Sequence, residues 1–404
     1  IRGMVETLQD PYSEYLDEEA ARHLQESLSS SFEGIGAEVT MQDGRVTIVA
    51  PIKDTPAEKA GLRPLDQIIS VNGESLEGLS LFEAVLKIRG PKGSVAELEI
   101  IRPGVAESFK VSVVRDEIPI ETVYSQIISA QGKKVGWIQI TSFGENTAQR
   151  FSDELAKLEK SGVDGLIIDV RGNPGGYLEA VREIGQMLVP YESVITEIED
   201  RHGERIVYRS TLKEPKPYPI AVLIDKGSAS ASEILAAALQ EAGHYKLVGQ
   251  TTFGKGTVQN TVGLEDNSQL KITIAKWLTP KQNWINEKGV EPDVEVSQPD
   301  YFYATYVSSE PELKLDMNSE QVRNLQVILK GLGYDPGRED GYFSKETEQA
   351  VKSFQADHNL EVTGVVNQST AEAINEELLS KVRDPRNDRQ LQKAVEVILE
   401  ELDD

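Results

Sequence analysis

Three stretches of the sequence hold residues that could do chemistry together. Asp169 to Ala180 (DVRGNPGGYLEA) and Ile224 to Leu235 (IDKGSASASEIL) are glycine-bearing loops, each set between a strand-like run and a helix-like run. A turn of this kind feeding a helix N-terminus collects free backbone N–H groups that hold negative charge. Two such loops side by side could form an oxyanion hole for a developing alkoxide. The second loop also offers three serines as nucleophiles, Ser228, Ser230 and Ser232. Ser230-x-x-Glu233 equally fits a capping box, in which the serine only terminates a helix. The third stretch, Thr251 to Asn260 (TTFGKGTVQN), sets Lys255 between two glycines and Gln259 four residues on. Positions four apart share a face on a strand or a helix, so the glutamine could orient the lysine amine. An amine drawn into an apolar site loses stability in its charged form, and its pKa falls towards that of a useful base.

Composition narrows the chemistry. The chain has 404 residues and a net charge of −25, which disfavours a nucleic-acid groove or a broad anionic-lipid patch. It contains no cysteine and four histidines, far apart, so disulfides, thiolate sites and a cysteine nucleophile are excluded and no metal or other cofactor is expected. At 39% hydrophobic and 27% charged residues it reads as globular and soluble, and its length calls for two or more domains. No apolar run reaches the roughly 18 residues that span a bilayer. The start at Ile1 reads as processed or trimmed, with any signal or anchor lying upstream.

The elements that must position these residues follow from periodicity. Residues 116–300 alternate short apolar runs (VGWIQITSF, GLIIDV, PIAVLID, KLVG) with helical stretches (TAQRFSDELAKLEK, YLEAVREIGQML, ASEILAAALQEAG), the pattern of an α/β layer with a buried sheet. Residues 33–115 form a β-rich unit with two helices, opening on strand-like alternation around an Asp43-Gly44 turn. Residues 1–32 are short amphipathic helices that need something to pack against, another domain or a second subunit. Residues 301–317 read as a linker, 318–380 as three amphipathic helices and 381–404 as a final helix. His244, the one histidine near the motifs, is expected on the surface.

Taken together, DVRGNPGG, GSASASEIL and VGQTTFGKGTVQ, followed by LKITIAKWLTP and EKGVEPDVEV, closely resemble the catalytic domain of the carboxyl-terminal processing (tail-specific) peptidases. These are PDZ-bearing serine proteases with a Ser–Lys dyad. The resemblance implies a multidomain α/β protein whose protease core is crotonase-like, with a PDZ domain inserted. It makes Ser230 the nucleophile, which the residues alone could not choose over Ser228 or Ser232. It makes Lys255 the general base and Gln259 the residue that orients it. The oxyanion hole would use the N–H of Ala231 and one from Gly175 or Gly176.

Residues 33–115 resemble a PDZ domain of the bacterial, permuted kind. Gly34, Ile35, Gly36 and Ala37 match the loop whose N–H groups hold a peptide's C-terminal carboxylate, and AEVTM matches the edge to which the peptide adds as a strand. TPAEKAGLRPLDQIISVNG fits the signature except that Leu65 stands where a glycine usually precedes the Asp. Arg89, at the end of a helix, is a candidate for coupling peptide occupancy to the protease. Residues 318–380 resemble a type 1 peptidoglycan-binding domain, a fold that serves assembly equally well.

The reading is a PDZ-regulated serine endopeptidase that cleaves proteins recognised by their C-terminal tails. It is expected outside the cytoplasm, in processing or sporulation signalling, as a homodimer with possible peptidoglycan contact. The alternatives are a catalytically silent PDZ and cell-wall scaffold, and an acyl-CoA enzyme sharing the core layout. Intact Ser230, Lys255 and Gln259 argue against the scaffold, and the serine and lysine motifs argue against the acyl-CoA enzyme.

Overall fold

The apolar runs between residues 133 and 249 become the inner strands of one sheet. The computed structural model describes residues 1–29, 31–42 and 44–403, the side chain of Ser27 excepted. The chain opens with α1 (Arg2–Glu6), β1 (Glu14–Leu16), α2 (Glu18–Ser29) and β2 (Ser31–Gly34). The β-rich unit follows as β3 (Ala37–Gln42), β4 (Arg45–Pro51), α3 (Pro56–Lys59), β5 (Gln67–Val71), β6 (Glu74–Ser75), α4 (Leu81–Ile88), β7 (Val95–Ile101) and β8 (Phe109–Val114), and β9 (Asp116–Pro119) leads out of it. The core then supplies β10 (Val123–Ala130), β11 (Lys133–Ile140), α5 (Thr147–Lys160), β12 (Gly165–Asp169), α6 (Leu178–Leu188), β13 (Val194–Asp200), β14 (Arg205–Arg209) and β15 (Ile220–Ile224). It continues through α7 (Ala231–Glu241), β16 (Lys246–Gly249), β17 (Thr257–Gly263), β18 (Gln269–Leu278) and β19 (Val294–Glu295). Four helices close the chain: α8 (Glu320–Leu332), α9 (Lys345–Asp357), α10 (Gln368–Arg383) and α11 (Arg389–Asp403).

The core sheet has the order β10-β11-β12-β15-β16-β19, with β10 antiparallel to β11 and the remaining pairs parallel. Its alternation is strict. Leu166, Ile168, Ile220, Val222 and Ile224 face α5, α6 and α7, whereas Ile167, Ala221 and Leu223 face Leu391, Ala394 and Ile398 of α11. A sheet covered on both faces needs apolar residues at every position, which is why its strands read as unbroken runs. The parallel strands β12, β15 and β16 release the chain at one edge, outside their carboxyl ends, where open α/β sheets place their sites. The two glycine loops and the lysine stretch all follow directly from those strands.

A second sheet, β1-β18-β13-β14 with β17 along β18, flanks that edge. The N-terminal segment does not stand apart: β1 pairs with β18 in the register Glu14 to Lys271, Tyr15 to Leu270 and Leu16 to Gln269. The strands β2 and β9 pair with each other and bring the entry and exit of the inserted unit together.

Within that unit β3 is an edge strand of the sheet β3-β4-β5-β7-β8. Asp43, at the tip of the expected hairpin, lies outside the described residues. Leu65 takes the left-handed conformation (φ +68°) that the usual glycine would take, at a cost of about 1–2 kcal/mol. The turn survives because Asp66, fully buried, accepts two hydrogen bonds of 2.7 Å from Arg102 and one of 2.8 Å from the N–H of Arg63.

The helices α8, α9 and α10 surround Leu325, Ile328, Phe343, Phe354 and Ile374, each helix capped by a side chain: Ser319, Ser344 and Asn367. Val307 and Leu313, from the connecting stretch, are buried in the same core.

Candidate active site

Ser228 and Ser232 are fully buried, and their hydroxyls are spent on structure. Ser228 Oγ donates to the carbonyl of Val170 and Ser232 Oγ to that of Asn173, both at 2.8 Å, so each latches the serine loop to the first glycine loop. Ser230 differs. It is half-buried and has φ +54° and ψ −112°, a conformation that costs a non-glycine residue about 1–3 kcal/mol and concentrates at functional sites. Its N–H donates to Glu233 Oε2 at 2.8 Å, the return bond of the capping box read in the sequence. Conformation therefore separates the middle serine from its neighbours, which residue types did not.

Asn173, in the middle of the GNPGG run, is fully buried and holds the first loop in shape. Its Nδ2 donates to the carbonyl of Ile140 at 2.8 Å, its Oδ1 accepts the N–H of Gly175 at 2.9 Å, and its carbonyl accepts the N–H of Ala229 at 3.0 Å. A side chain on Gly175 would start 2.9 Å from Ser230 Cβ, and one on Gly176 would start 2.2 Å from the carbonyl oxygen of Phe143. Both positions also have positive φ, so glycine is obligatory there. The Gly175 N–H is committed to Asn173. Among the described residues the N–H groups of Gly176 and Ala231 donate to no other protein group. Of the two glycines weighed for the oxyanion hole, the geometry leaves Gly176 with a free donor.

Glu233 does far more than cap a helix. Its carboxylate is fully buried and accepts from the N–H of Ser230 (2.8 Å), Thr252 Oγ1 (2.6 Å), the N–H of Gly254 (2.6 Å) and the N–H of Lys255 (2.9 Å). One side chain thus fixes the backbone of the serine and of the lysine. The lysine loop is tied down further by Phe253 N–H to the Ser228 carbonyl (3.0 Å), Trp277 Nε1 to the Lys255 carbonyl (2.8 Å) and Trp284 Nε1 to that of Gly256 (2.9 Å).

Burial pushes the Lys255 amine below the usual lysine range, and the charge of Lys271 pushes the same way, against Glu14, Glu233 and Asp10. Its Nζ lies 5.0 Å from the centre of the Tyr12 ring. Gln259 donates through Nε2 to Thr257 Oγ1 (2.9 Å) and Thr273 Oγ1 (3.1 Å). Lys255 precedes β17 in a loop, so the shared-face spacing does not operate. Among the described residues no hydrogen bond joins Ser230 Oγ, Lys255 Nζ and the Gln259 amide to one another. Glu233 ties the backbones of Ser230 and Lys255 together, Gln259 lies on β17 four residues beyond the lysine, and the three side chains are left unlinked.

Sequence reasoning missed several residues here. Asn173 and Glu233 had a signal, since a polar residue inside a tight glycine turn and a capping glutamate were both visible. Tyr12 and Asp10, brought in by the pairing of β1 with β18, had none. Arg171 was also passed over: its guanidinium bridges Asp169, at 2.7 and 2.9 Å, to Asp388, at 2.8 and 3.0 Å, and so anchors α11 to the first glycine loop.

In the inserted unit, Arg89 Nη1 pairs with Glu26 Oε2 of α2 at 2.9 Å, and its guanidinium sits 4.7 Å over the Phe32 ring. It borders the expected carboxylate loop, since a side chain on Gly34 would start 3.6 Å from Arg89 Cγ. In that loop the carbonyls of Ile35 and Gly36 accept from the N–H of Ala57 (2.7 Å) and Thr55 Oγ1 (2.8 Å), and Ala37 begins the edge strand β3. His244 is exposed. Among the described residues no group of three or more His, Asp or Glu is placed to hold a metal ion, and no helix is long and apolar enough to cross a membrane.

Comparison with known proteins follows the same divisions. Residues 134–296 match the model of Peptidase family S41, residues 34–113 that of a PDZ domain and residues 318–374 that of a peptidoglycan-binding domain. Over 395 residues the chain is 53% identical to the carboxy-terminal processing protease CtpB of Bacillus subtilis (strain 168), covering 98% of this chain and 82% of that protein. Over 402 residues it is 42% identical to CtpA of the same organism, covering 100% and 85%. Among solved structures, the photosystem II D1 C-terminal processing protease shares 31% identity across 73% of this chain and 80% of its own, with a TM-score of 0.46.

Proposed function

The chain belongs to the carboxy-terminal processing serine proteases of peptidase family S41, and from that premise we propose that Ser230 is its nucleophile, Lys255 its general base and Gln259 the residue that orients the base. The observation that carries this reading is the Glu233 carboxylate, which holds the N–H of Ser230 and the N–H of Lys255 at once. The reaction is acyl transfer. Ser230 Oγ attacks a peptide carbonyl as Lys255 takes its proton, and the oxyanion forms against the N–H groups of Gly176 and Ala231. Lys255 then protonates the leaving amine, and water hydrolyses the acyl-enzyme. A depressed lysine pKa suits this work, because the amine must be neutral to accept the serine proton.

The PDZ domain is a peptide-binding module, and in this proposal it takes the C-terminal tail of the substrate through Gly34, Ile35, Gly36 and Ala37, with the tail added along β3. Arg89 reports occupancy, supported by its position between that loop and Glu26 of α2. The extracytoplasmic setting, a role in sporulation signalling, homodimer formation and contact with peptidoglycan belong to the same proposal. The peptidoglycan-binding module and the likeness to the carboxy-terminal processing proteases support the extracytoplasmic setting and the peptidoglycan contact; sporulation signalling and homodimer formation are the parts of the proposal that rest on the sequence resemblance alone. The test of the dyad is cleavage of an unfolded reporter protein with an apolar C-terminal tail. Ser230→Ala and Lys255→Ala should each abolish turnover while the unfolding transition stays within a few degrees of the parent; unchanged turnover in either variant sinks the assignment.

A further inference from the structure

Gln259 has two ends of nearly the same shape, and only one serves a base. Its carbonyl can accept from the lysine amine, including the ammonium formed once Lys255 has taken a proton; its NH2 cannot. Something must decide which end faces Lys255. We infer that Asp10, from the N-terminal segment, sets the polarity of the Gln259 amide through Thr273 and is a positioning residue for the catalytic base.

The argument is one of donors and acceptors. Asp10 Oδ2 receives Thr273 Oγ1 at 2.6 Å and Ser13 Oγ at 2.5 Å. A carboxylate only accepts, so the single hydroxyl proton of Thr273 points at Asp10. The threonine oxygen is then left with lone pairs alone on its other side. Gln259 lies there at 3.1 Å and must present its NH2, which also reaches Thr257 Oγ1 at 2.9 Å. With the nitrogen end held by two hydroxyls, Oε1 is the end left for Lys255. Without Asp10 the threonine hydroxyl is free to donate, and the opposite amide orientation satisfies it equally well.

Asp10 is kept in place by the strand that follows it. Ser13 Oγ accepts the N–H of Thr273 at 3.1 Å, and Glu14 to Leu16 pair with β18. Burial raises the Asp10 pKa, but hydrogen bonds from Ser13, Thr273 and the N–H groups of Tyr12 and Ser13 outweigh it and hold the carboxyl below its usual range. The acceptor-only state is therefore the one present at neutral pH.

This inference rests on the proposed roles of Lys255 and Gln259, and a double-mutant cycle separates the two. Turnover of the unfolded reporter is measured for the full chain and for Asp10→Ala, Thr273→Val, Gln259→Ala and the double variant Asp10→Ala with Gln259→Ala. Thermal unfolding of each variant identifies any that fail to fold, and Thr273→Val interrupts the same relay from β18 while keeping the Thr273 N–H to Ser13 bond that docks the N-terminal segment. The expected result is a drop in kcat of about tenfold in each single variant with KM within twofold, and a double variant no slower than Gln259→Ala alone. Wild-type kcat in Asp10→Ala and Thr273→Val beside a slow Gln259→Ala overturns the relay and spares the site. Losses that multiply in the double variant also overturn it. A Gln259→Ala variant as fast as the parent overturns the glutamine's role, and the relay with it.

Discussion

The serine half of the site is held by fully buried groups from one region of the core, Ile140 to Glu233, while the lysine half is completed by residues 10–14 arriving from the far end of the chain. Around Ser230, Asn173 and the hydroxyls of Ser228 and Ser232 close a network of backbone carbonyls and N–H groups at the carboxyl ends of the parallel strands. Around Lys255, the partners are a tyrosine ring, Asp10 behind Thr273, and the ion pair of Glu14 with Lys271. Buried, fully satisfied networks are rigid. A three-residue strand added to a sheet edge opens at far lower cost. The contrast assigns preorganisation to the proposed nucleophile Ser230 and its neighbouring N–H donors, and adjustability to the proposed base Lys255.

Glu233 holds the backbone of both Ser230 and Lys255, so removing it gives the largest effect. Glu233→Ala strands four donors, of which those of Thr252 and Gly254 are buried and worth about 1–3 kcal/mol each when left unpaired, without being additive. The expected outcome is a loss of about 3–5 kcal/mol in unfolding free energy, with kcat/KM down by at least about a hundredfold. Glu233→Gln keeps the shape but turns one acceptor into a donor, and should fall between. Parent-like turnover in Glu233→Gln would show that the two halves do not depend on a shared acceptor.

Next in size is Asn173→Ala, which confines the damage to the serine half. It frees the Ile140 carbonyl and the Gly175 N–H, for about 2–3 kcal/mol of stability. Turnover should drop through kcat, and the pH dependence of the remaining activity should match the parent, because nothing around Lys255 has changed. A shifted pH profile would mean that the halves are coupled through more than Glu233.

How much of this was readable before the structure follows the same division. The buried strands and α5 stood in plain view, because a sheet covered on both faces prints continuous apolar runs and a half-buried helix prints its period. The glycine loops and Ser230 came from motif order, and the strained conformation of Ser230 then gave the physical ground that residue types had lacked. The base half was legible only as Lys255 and Gln259. A strand of three residues such as β1 has no period to read, and what docks it is the register of β18, far away in sequence. α11 showed its apolar stripe but not that the stripe covers Ile167, Ala221 and Leu223. Arg89 was visible at a helix end, yet its partner Glu26 sits on a helix that sequence placed in a separate segment. Glu233 was hidden by being explained too soon, since a capping box accounts for a glutamate at that position without asking what else its oxygens meet.

The smallest expected effect is the cleanest test of adjustability in the base half, because it touches only charge. Lys271 lies on β18, pairs with Glu14 and lowers the Lys255 pKa by repulsion. Replacing it by methionine removes that repulsion and leaves Glu14, which favours the charged amine, without its partner. Both changes move the Lys255 pKa upward. Because the base works only when neutral, activity rises with pH through that pKa, so the rising limb of the kcat/KM profile in Lys271→Met should lie at higher pH than in the parent. The plateau rate should stay within about twofold, and unfolding should change by less than about 1 kcal/mol, as for other half-exposed ion pairs. Glu14→Gln removes the opposing charge and should move the limb to lower pH. Identical limbs in the two variants would mean that Lys255 does not set the pH dependence, and that the lysine half is as closed to its surroundings as the serine half.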